Sequence, residues 1–564
     1  MELLDWIVIG AFCLALIGII VWVVNQKQND SADYFLGGRD ATWIAIGSSI
    51  FASNIGSEHL IGLAGAGASS GMAMAHWEIQ GWMILILGWV FVPFYSRSMV
   101  YTMPEFLERR YNPQSRTILS AISLVSYVLT KVAVTVYAGG LVFQQVFGIK
   151  ELWGIDFFWI AAIGLVLITA LYTIFGGMKS VLYTSVLQTP ILLLGSLIIL
   201  VLGFKELGGW DEMIRICGAV PVNDYGDTMT NLIRSNNDAN FPWLGALIGS
   251  AIIGFWYWCT DQFIVQRVLS GKNQTEARRG TIFGAYLKLL PVFLFLIPGM
   301  IAFALHQKYI GAGGEGFLPM LANGKANADA AFPTLVAKIL PAGVKGLVVC
   351  GILAALMSSL ASLFNSSAML FTIDFYKRFK PKTSEKKLVV IGQTATVVIV
   401  ILGILWIPIM RSVGDVLYTY LQDVQSVLAP GIAAAFLLGI CWKRTSAKGG
   451  MWGLIAGMII GFTRLGAKVY YSNAIDATDN LFKYLFFDMN WLFFCGWMFL
   501  FCIVVVILVS MCTEAPSAEK IQGLVFGTAT PEQKAETRAS WGMWDVVHTV
   551  IILSITAAFY IYFW

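Results

Sequence analysis

The sequence predicts an all-α polytopic membrane protein, and three observations carry that prediction. Of its 564 residues, 58% are hydrophobic and only 12% charged, and the mean hydropathy of +0.74 leaves more apolar surface than a water-soluble globule can bury. Apolar runs long enough to cross a bilayer as helix, about 20 residues each, recur from "LLDWIVIGAFCLALIGIIVWVV" to "VVHTVIILSITAAFYIYFW", about fourteen in all. The connections "RSMVYTMPEFLERRYNPQSR", "QRVLSGKNQTEARR", "KRFKPKTSEKK" and "KRTSAK" are basic, and those between them are poor in Lys and Arg. By the positive-inside rule, the amino terminus is then outside. An even number of spans returns the carboxyl terminus to the same extracytoplasmic face of a plasma (inner) membrane.

The predicted spans follow in order. Residues 3–24 form a permanent span rather than a cleaved leader, because Glu2 and Asp5 replace a basic start, Lys27 follows, and no small-residue cleavage site appears. Next come 41–67, which is polar and glycine-rich in its middle, then 73–96, 117–147, 154–175 and 180–203. A connection of about residues 204–240, rich in Asp, Asn and Gly, reads as an external loop. The remaining spans are 242–265, 277–305, 345–376, 387–410, 414–442, 448–468, 487–512 and 543–563. "PSAEKIQGLVFGTATPEQKAETRAS" reads as a cytoplasmic connector before the last of them. A net charge of +4 is too small to argue for nucleic acid. Eight cysteines without paired spacing, several inside spans, point to neither a disulfide framework nor a zinc site.

A weak internal symmetry organises the chain. The second span, "FASNIGSEHLIGLAGAG", holds Ser53, Asn54, Ser57, Glu58 and His59 among glycines. The seventh, "GSAIIGFWYWCTDQFIVQ", is disturbed by Gly254, Cys259, Thr260, Asp261 and Gln262. Five spans separate their starts, and an odd number of helices per half inverts the second half. Paired broken helices in two five-helix halves are the sequence pointer to an inverted-repeat transporter with its substrate at the breaks. The division is 1–40 leading helix and first cytoplasmic loop, 41–240 first repeat, 241–442 second repeat, and 443–564 three trailing helices with the connector. Backbone groups freed at a break must be satisfied within protein or a wet cavity, so the break itself can bind an ion or solute.

Ionisable groups inside spans are costly and so are functional candidates: Glu58 and His59, Glu78 in the third span, Asp261 in the seventh and Lys288 in the eighth. A Glu78 carboxylate and a Lys288 ammonium in one cavity neutralise each other while offering acceptor and donor to several hydroxyls. The alternative is a structural ion pair joining two helices. His59 is equally a packed interhelical hydrogen-bonder or a ligand. In "LAALMSSLASLFNSSAMLFT", Ser358 and Ser362 share a helix face with Ser359 beside it. Small hydroxyl residues serve close helix packing, but such a ladder opposite a broken helix also supplies the neutral oxygens that a monovalent cation needs. "FWYWC" beside a break offers rings for the apolar faces of sugars, whereas most other aromatics are packing or interface anchors. "GLAGAGASSG" lacks the spacing and strand-helix context of a nucleotide-binding glycine loop.

Together these stretches resemble the sodium/solute symporter family, in its sodium/glucose cotransporter branch. The segments "SNIGSEHLIGLAGAGASSG", "VYTMPEFLERRY", "FGGMKSVLYT", "WYWCTDQFIVQR", "YLKLLPVFLFLIPGM", "LMSSLASLFNSSAMLFTIDFY" and "AAAFLLGICWKR" carry the resemblance over nearly the whole chain. It implies a core of two inverted five-helix repeats like that of the bacterial leucine transporter, with one leading and three trailing helices. It implies a sugar site of Asn54, His59, Glu78, Tyr257, Trp258, Lys288 and Gln422, with Tyr257 stacking beneath the ring as part of an inner gate. Leu63, Trp77 and Tyr418 lie on the outer side as gates. The implied sodium (Na+) site comprises the carbonyls of Ala52, Ile55 and Ala355 and the hydroxyls of Ser358 and Ser359.

Departures from the family pattern refine the expectation. Two-sodium members carry an aspartate where this chain has Ser185 and a hydroxyl residue where it has Ala361, so one sodium per sugar is expected. Gly81 and Gly254 replace polar contacts of a galactose-carrying bacterial relative, leaving the preferred epimer open, while His59 matches the animal glucose carriers. The expected activity is sodium-driven symport of a glucose- or galactose-type hexose by alternating access, with no covalent step and no enzyme chemistry. The lipid bilayer is its surroundings, and the scheme operates in one copy of the chain. Two alternatives stand beside it: another solute such as myo-inositol or sialic acid, and a sugar-gated sensor or channel, against which Gln422 argues. Glu58 is expected to brace the break rather than touch either ligand.

Overall fold

The computed structural model describes residues 1–564 other than 27–29, 57, 322–323, 412–416 and 474–479; for 129–130, 409–411, 417–421, 423 and 472–473 it describes the backbone alone. Helices dominate because each lipid-facing stretch must satisfy its own backbone donors and acceptors. Among the described residues, the strands reduce to a tight antiparallel pair in which Glu151 faces Asp156. Among the described residues, eleven helical segments are long and apolar enough to cross a membrane. The expected spans 154–175 and 180–203 both fall within one 51-residue helical segment, Phe157–Leu207, bent at Gly177. There φ is 54° and ψ is −146°, and a side chain would overlap the Tyr34 carbonyl, so only glycine serves.

Enclosure separates centre from rim. In the most apolar window of Val344–Phe379, 89% of residues are buried, and 83% in that of Gln274–Gly311, against 17% in the first helix Leu3–Val24 and 22% in the last, Met543–Tyr562. The central helices therefore carry the Ser358–Ser362 ladder and Lys288, while the rim helices face lipid. Asp5 ties the first helix to the centre by accepting the N–H groups of Gly343 (2.7 Å) and Gly346 (2.8 Å) at the start of Val344–Met369. A carboxylate at a helix N-terminus satisfies donors that the helix cannot. Close approach elsewhere depends on small residues: a Cβ on Gly67 would overlap the Leu296 carbonyl, and one on Gly299 the Ala64 carbonyl.

Both predicted breaks are present. Trp43–Asn54 ends where Ile55 turns extended (φ −79°, ψ 104°), and the chain resumes as a wide π-turn, Glu58–Leu63, before Ala64–Ser70. Trp243–Gly254 instead widens first, into a π-turn over Phe255–Thr260, and then breaks at Asp261 (φ −76°, ψ 127°). The Asp261 side chain caps the next helix, Gln262–Leu269, by accepting from the Phe263 N–H at 3.2 Å. Wide π-turns leave backbone groups off the α-helical ladder, which is why they recur at functional sites.

Candidate functional site

The two breaks meet at a buried polar cavity. At its centre Lys288 Nζ donates to Glu78 Oε2 at 2.6 Å and to Asn54 Oδ1 at 3.1 Å, and Asn54 Nδ2 donates to the Tyr257 hydroxyl at 3.1 Å. The first break, the third span, the eighth span and the second break are thus joined through four side chains. Lys288 is delivered by the last turn of Gln274–Lys288, and Asn54 by the last residue before the Ile55 break. His59 Nε2 lies 3.2 Å from Glu78 Oε2, an ion-pair distance, while among the described residues neither imidazole nitrogen makes a well-aligned hydrogen bond. Gln422 Oε1 and Trp77 Nε1 are buried and, among the described residues, without a hydrogen-bond partner. Buried polar atoms without partners are rare in folded proteins, and three such side chains lining one cavity mark a place where a ligand completes the hydrogen bonding.

All seven residues implied for the sugar site line this one cavity, and so does Trp77. Leu63 is buried but does not line it, and the side chain of Tyr418 lies outside the described residues, as does Ser57. Glu58, expected to brace the break, lines the cavity as well, with its carboxylate folded against Gly56. The π-turn that follows the break begins with Glu58 and so keeps it beside His59 at the opening. Gly254 belongs to the lining as well, close to Gln80.

Sequence reasoning missed four polar members of the lining: Gln80, Lys131, Thr135 and Gln425. Gln80 accepts from Trp258 Nε1 at 3.3 Å and donates to the Ser250 carbonyl at 2.7 Å, so it fixes the indole. Lys131 donates to Asp261 Oδ2 at 2.7 Å and sits 4.8 Å from the centroid of the Tyr257 ring. The available signal was that Lys131 is the one charged residue in 117–147, and charge inside a span is a functional pointer. Asp261 is further bonded to the Tyr127 hydroxyl, so its role as a cap and a lysine partner is filled within the protein.

Beside the cavity, the broken second span meets the serine helix Val344–Met369. The hydroxyls of Ser53 and Ser362 are 2.6 Å apart, and those of Ser185 and Ser358 3.3 Å apart. Ala52, Ile55, Ala355, Ser358 and Ser359 are all buried here. Among the described residues, no backbone N–H donates to the carbonyl of Ala52 or Ile55, because the helix ends at Asn54 and His59 bonds back to Gly56 instead. Ser359 also lines the cavity, whereas Ser358 does not. Neighbouring residues of one helix therefore meet Ser185 and the polar cavity.

Broken membrane helices converging on a buried, incompletely bonded polar cavity define a multi-pass membrane transporter. The model of the sodium:solute symporter family matches residues 34–457, and the chain belongs to that family. It is 36% identical over 539 residues to the human sodium/myo-inositol cotransporter 2, covering 93% of this chain and 79% of that one. It is 34% identical over 557 residues to the sodium/glucose cotransporter 4 of Danio rerio, covering 96% and 84%. A solved structure of a Na+-coupled sialic acid symporter, substrate-bound and outward-open, superimposes with a TM-score of 0.73 at 21% identity, covering 92% of this chain and 99% of that one. That likeness shows the shared fold, of the leucine-transporter type expected from the sequence. The chain is a sodium-coupled symporter of a small-molecule solute, a transporter and not an enzyme, and Na+ is its coupling ion.

Proposed function

We propose that the solute is a neutral hexose of the glucose or galactose type, taken up with one sodium ion by alternating access. The observation that carries this reading is the charge balance of the cavity. Lys288 is paired with Glu78 and Lys131 with Asp261, so among the described residues no lining cation is left for an anionic solute. What remains open among the described residues is His59, Gln422 and the Trp77 N–H. In this reading Asn54, His59, Glu78, Trp258, Lys288 and Gln422 hold the sugar hydroxyls, and Tyr257 stacks beneath the ring. Leu63, Trp77 and Tyr418 form the outer gate. A second reading, myo-inositol, is favoured by the 36% identity to the human myo-inositol cotransporter. The same neutral hydroxyl chemistry serves both rings.

Sodium is assigned to the carbonyls of Ala52, Ile55 and Ala355 and the hydroxyls of Ser358 and Ser359. The unbonded Ala52 and Ile55 carbonyls support this, as does the contact of Ser53 with Ser362, which brings the break against the serine helix. Ser185 brings no charge beside Ser358 and Ala361 brings no hydroxyl, which supports one ion rather than two. Sodium binds first from outside and stabilises the arrangement that holds the sugar site together. It shifts that equilibrium only by its differential affinity for the two states. Residues 41–240 and 241–442 act as the inverted repeats, and both termini lie outside a plasma (inner) membrane. One charge crossing about 100 mV supplies about 2.3 kcal/mol. A tenfold sodium gradient adds about 1.4. Together they sustain accumulation of a few hundredfold.

The test is uptake of radiolabelled glucose, galactose and myo-inositol into proteoliposomes with and without a sodium gradient. Sodium-dependent accumulation of a hexose supports the reading. Preference for myo-inositol replaces it with the second reading, equal uptake in potassium removes symport, and two charges moved per sugar remove the single ion.

A further inference from the structure

At the edge of the bundle, the helix Gln274–Lys288 and the last helix Met543–Tyr562 part to leave a groove of about 480 Å³ that shares no lining residue with the polar cavity. Its walls are Trp43, Phe283, Tyr286 and Trp544, with Arg279 and His548 at the mouth. Arg279 and Trp544 each sit in the first turns of a membrane helix, and Trp43 begins a third, so the groove opens at the level where headgroups meet the apolar core. It lies on the side of the basic connections, next to "QRVLSGKNQTEARR".

The side chains there are arranged but not used up. Among the described residues Arg279 bonds only through Nε, to Asp545 Oδ1 at 3.2 Å, and its side chain is 49% exposed with both terminal nitrogens unengaged. His548 is held by the Tyr286 hydroxyl at 3.0 Å through Nδ1, which leaves Nε2 free. The Trp544 ring is 74% exposed, and the Trp43 ring is braced edge-on by Phe283 at 5.3 Å. Beyond the end of Gln274–Lys288, Leu289 and Phe293 face Ile555 and Phe559 across a separate apolar gap of about 280 Å³, closed at its far end by Trp210 and Tyr562. Leu289 lies ten residues beyond Arg279, about 15 Å along the helix, the depth of one leaflet of a 30 Å core.

We propose that this seam is a binding site for one zwitterionic phospholipid. The phosphate takes the free guanidinium nitrogens of Arg279 and His548 Nε2, and the positive end of the headgroup rests on the indoles of Trp43 and Trp544. An acyl chain runs along the seam towards Leu289 and Ile555. A planar guanidinium suits a phosphate, and indole faces attract an ammonium. The Asp545 carboxylate beside Arg279 offsets its charge, which favours a zwitterionic over an anionic lipid.

The test is native mass spectrometry of the full-length detergent-purified protein, supplied in turn with phosphatidylethanolamine, phosphatidylcholine, phosphatidylglycerol and diacylglycerol. Expected is one bound phosphatidylethanolamine or phosphatidylcholine per chain, with about tenfold weaker retention of the other two. Arg279→Gln and Trp544→Ala each weaken the zwitterionic lipids by about tenfold. Because the Trp544 ring is largely exposed, Trp544→Ala keeps the wild-type melting temperature, so its loss of lipid is not a loss of fold. Unchanged retention in both variants overturns the proposal, as does preference for phosphatidylglycerol or diacylglycerol. A co-purifying polypeptide released by Trp544→Ala overturns it in favour of a partner helix. The outcome does not depend on which solute is carried.

Discussion

Two buried carboxylate–lysine pairs flank Tyr257, alike in chemistry and different in completeness. Glu78 and Lys288 meet at 2.6 Å, Asp261 and Lys131 at 2.7 Å, and all four side chains are nearly shielded from solvent. Around Asp261 the bonding is closed: the Tyr127 hydroxyl and the Phe263 N–H occupy one oxygen, Lys131 the other, and the Lys131 ammonium sits within 5.4 Å of four aromatic ring centroids. Around Glu78 it is open, with His59, Gln422 and Trp77 presenting unpartnered atoms to the same space. A buried pair by itself says little about function, since a well-packed apolar substitute is often as stable. Unfinished hydrogen bonding around a pair is what separates a place for a ligand from a latch of the scaffold.

The sharpest break of that comparison is Glu78→Gln. It leaves the Lys288 charge buried without a counter-charge, a loss of about 3–5 kcal/mol, and uptake in proteoliposomes is expected to fall at least about hundredfold. The double variant Glu78→Gln/Lys288→Met removes both charges and is expected to recover most of the melting temperature without recovering uptake. If it recovers uptake too, the pair is structural and the comparison fails. A smaller effect follows from Ser358→Ala. Removing one hydroxyl from the assigned ion site is expected to raise the sodium concentration for half-maximal uptake about tenfold. Uptake at saturating sodium is retained. An unchanged sodium dependence removes Ser358 from the site.

Gln422→Ala comes next. Among the described residues Gln422 Oε1 has no partner, so its removal leaves no donor there unsatisfied, and the melting temperature is expected to hold. The solute concentration for half-maximal uptake is expected to rise about fivefold to tenfold, the worth of one hydrogen bond of about 1–1.4 kcal/mol. A fall in melting temperature with unchanged solute dependence places Gln422 in the scaffold.

What was legible in the sequence follows from the same distinction. Polar residues in an apolar run stand out, so the breaks at Asn54–Ile55 and Asp261, and the candidates Glu78, Lys288 and Ser358, could be found from the pattern and the family resemblance. Pairings are harder to read, because they depend on which faces of distant helices meet. Lys131 lies 130 positions from Asp261 and Gln80 178 from Trp258, and no local spacing links them. The predicted spans 154–175 and 180–203 part at the Gly177 turn, inside the stretch 176–179 left between them, whereas the Tyr34 contact that makes this turn depend on glycine is not visible locally. The position of Glu58 is not readable from local spacing either: a π-turn after an extended residue brings both it and His59 to the cavity, with the Glu58 carboxylate folded against Gly56 at the break.

The smallest expected effect on solute binding belongs to the closed pair. In Lys131→Met/Asp261→Asn both charges go together, and Asn retains an oxygen to cap Gln262–Leu269. The aromatic surround of Lys131 accepts an unbranched apolar chain of similar length. Because Tyr127, Phe263 and Lys131 already satisfy Asp261, a bound solute gains nothing from it, and the half-maximal solute concentration is expected to stay within about twofold. The maximal rate is a separate readout. The pair touches Tyr257 through the Lys131 ammonium, and a change in how that ring moves alters the rate of opening without altering affinity. Equilibrium binding of solute to the purified protein, measured beside uptake, distinguishes the two. A tenfold loss of equilibrium affinity means that the closed pair takes part in recognition, and the contrast drawn from completeness of bonding falls.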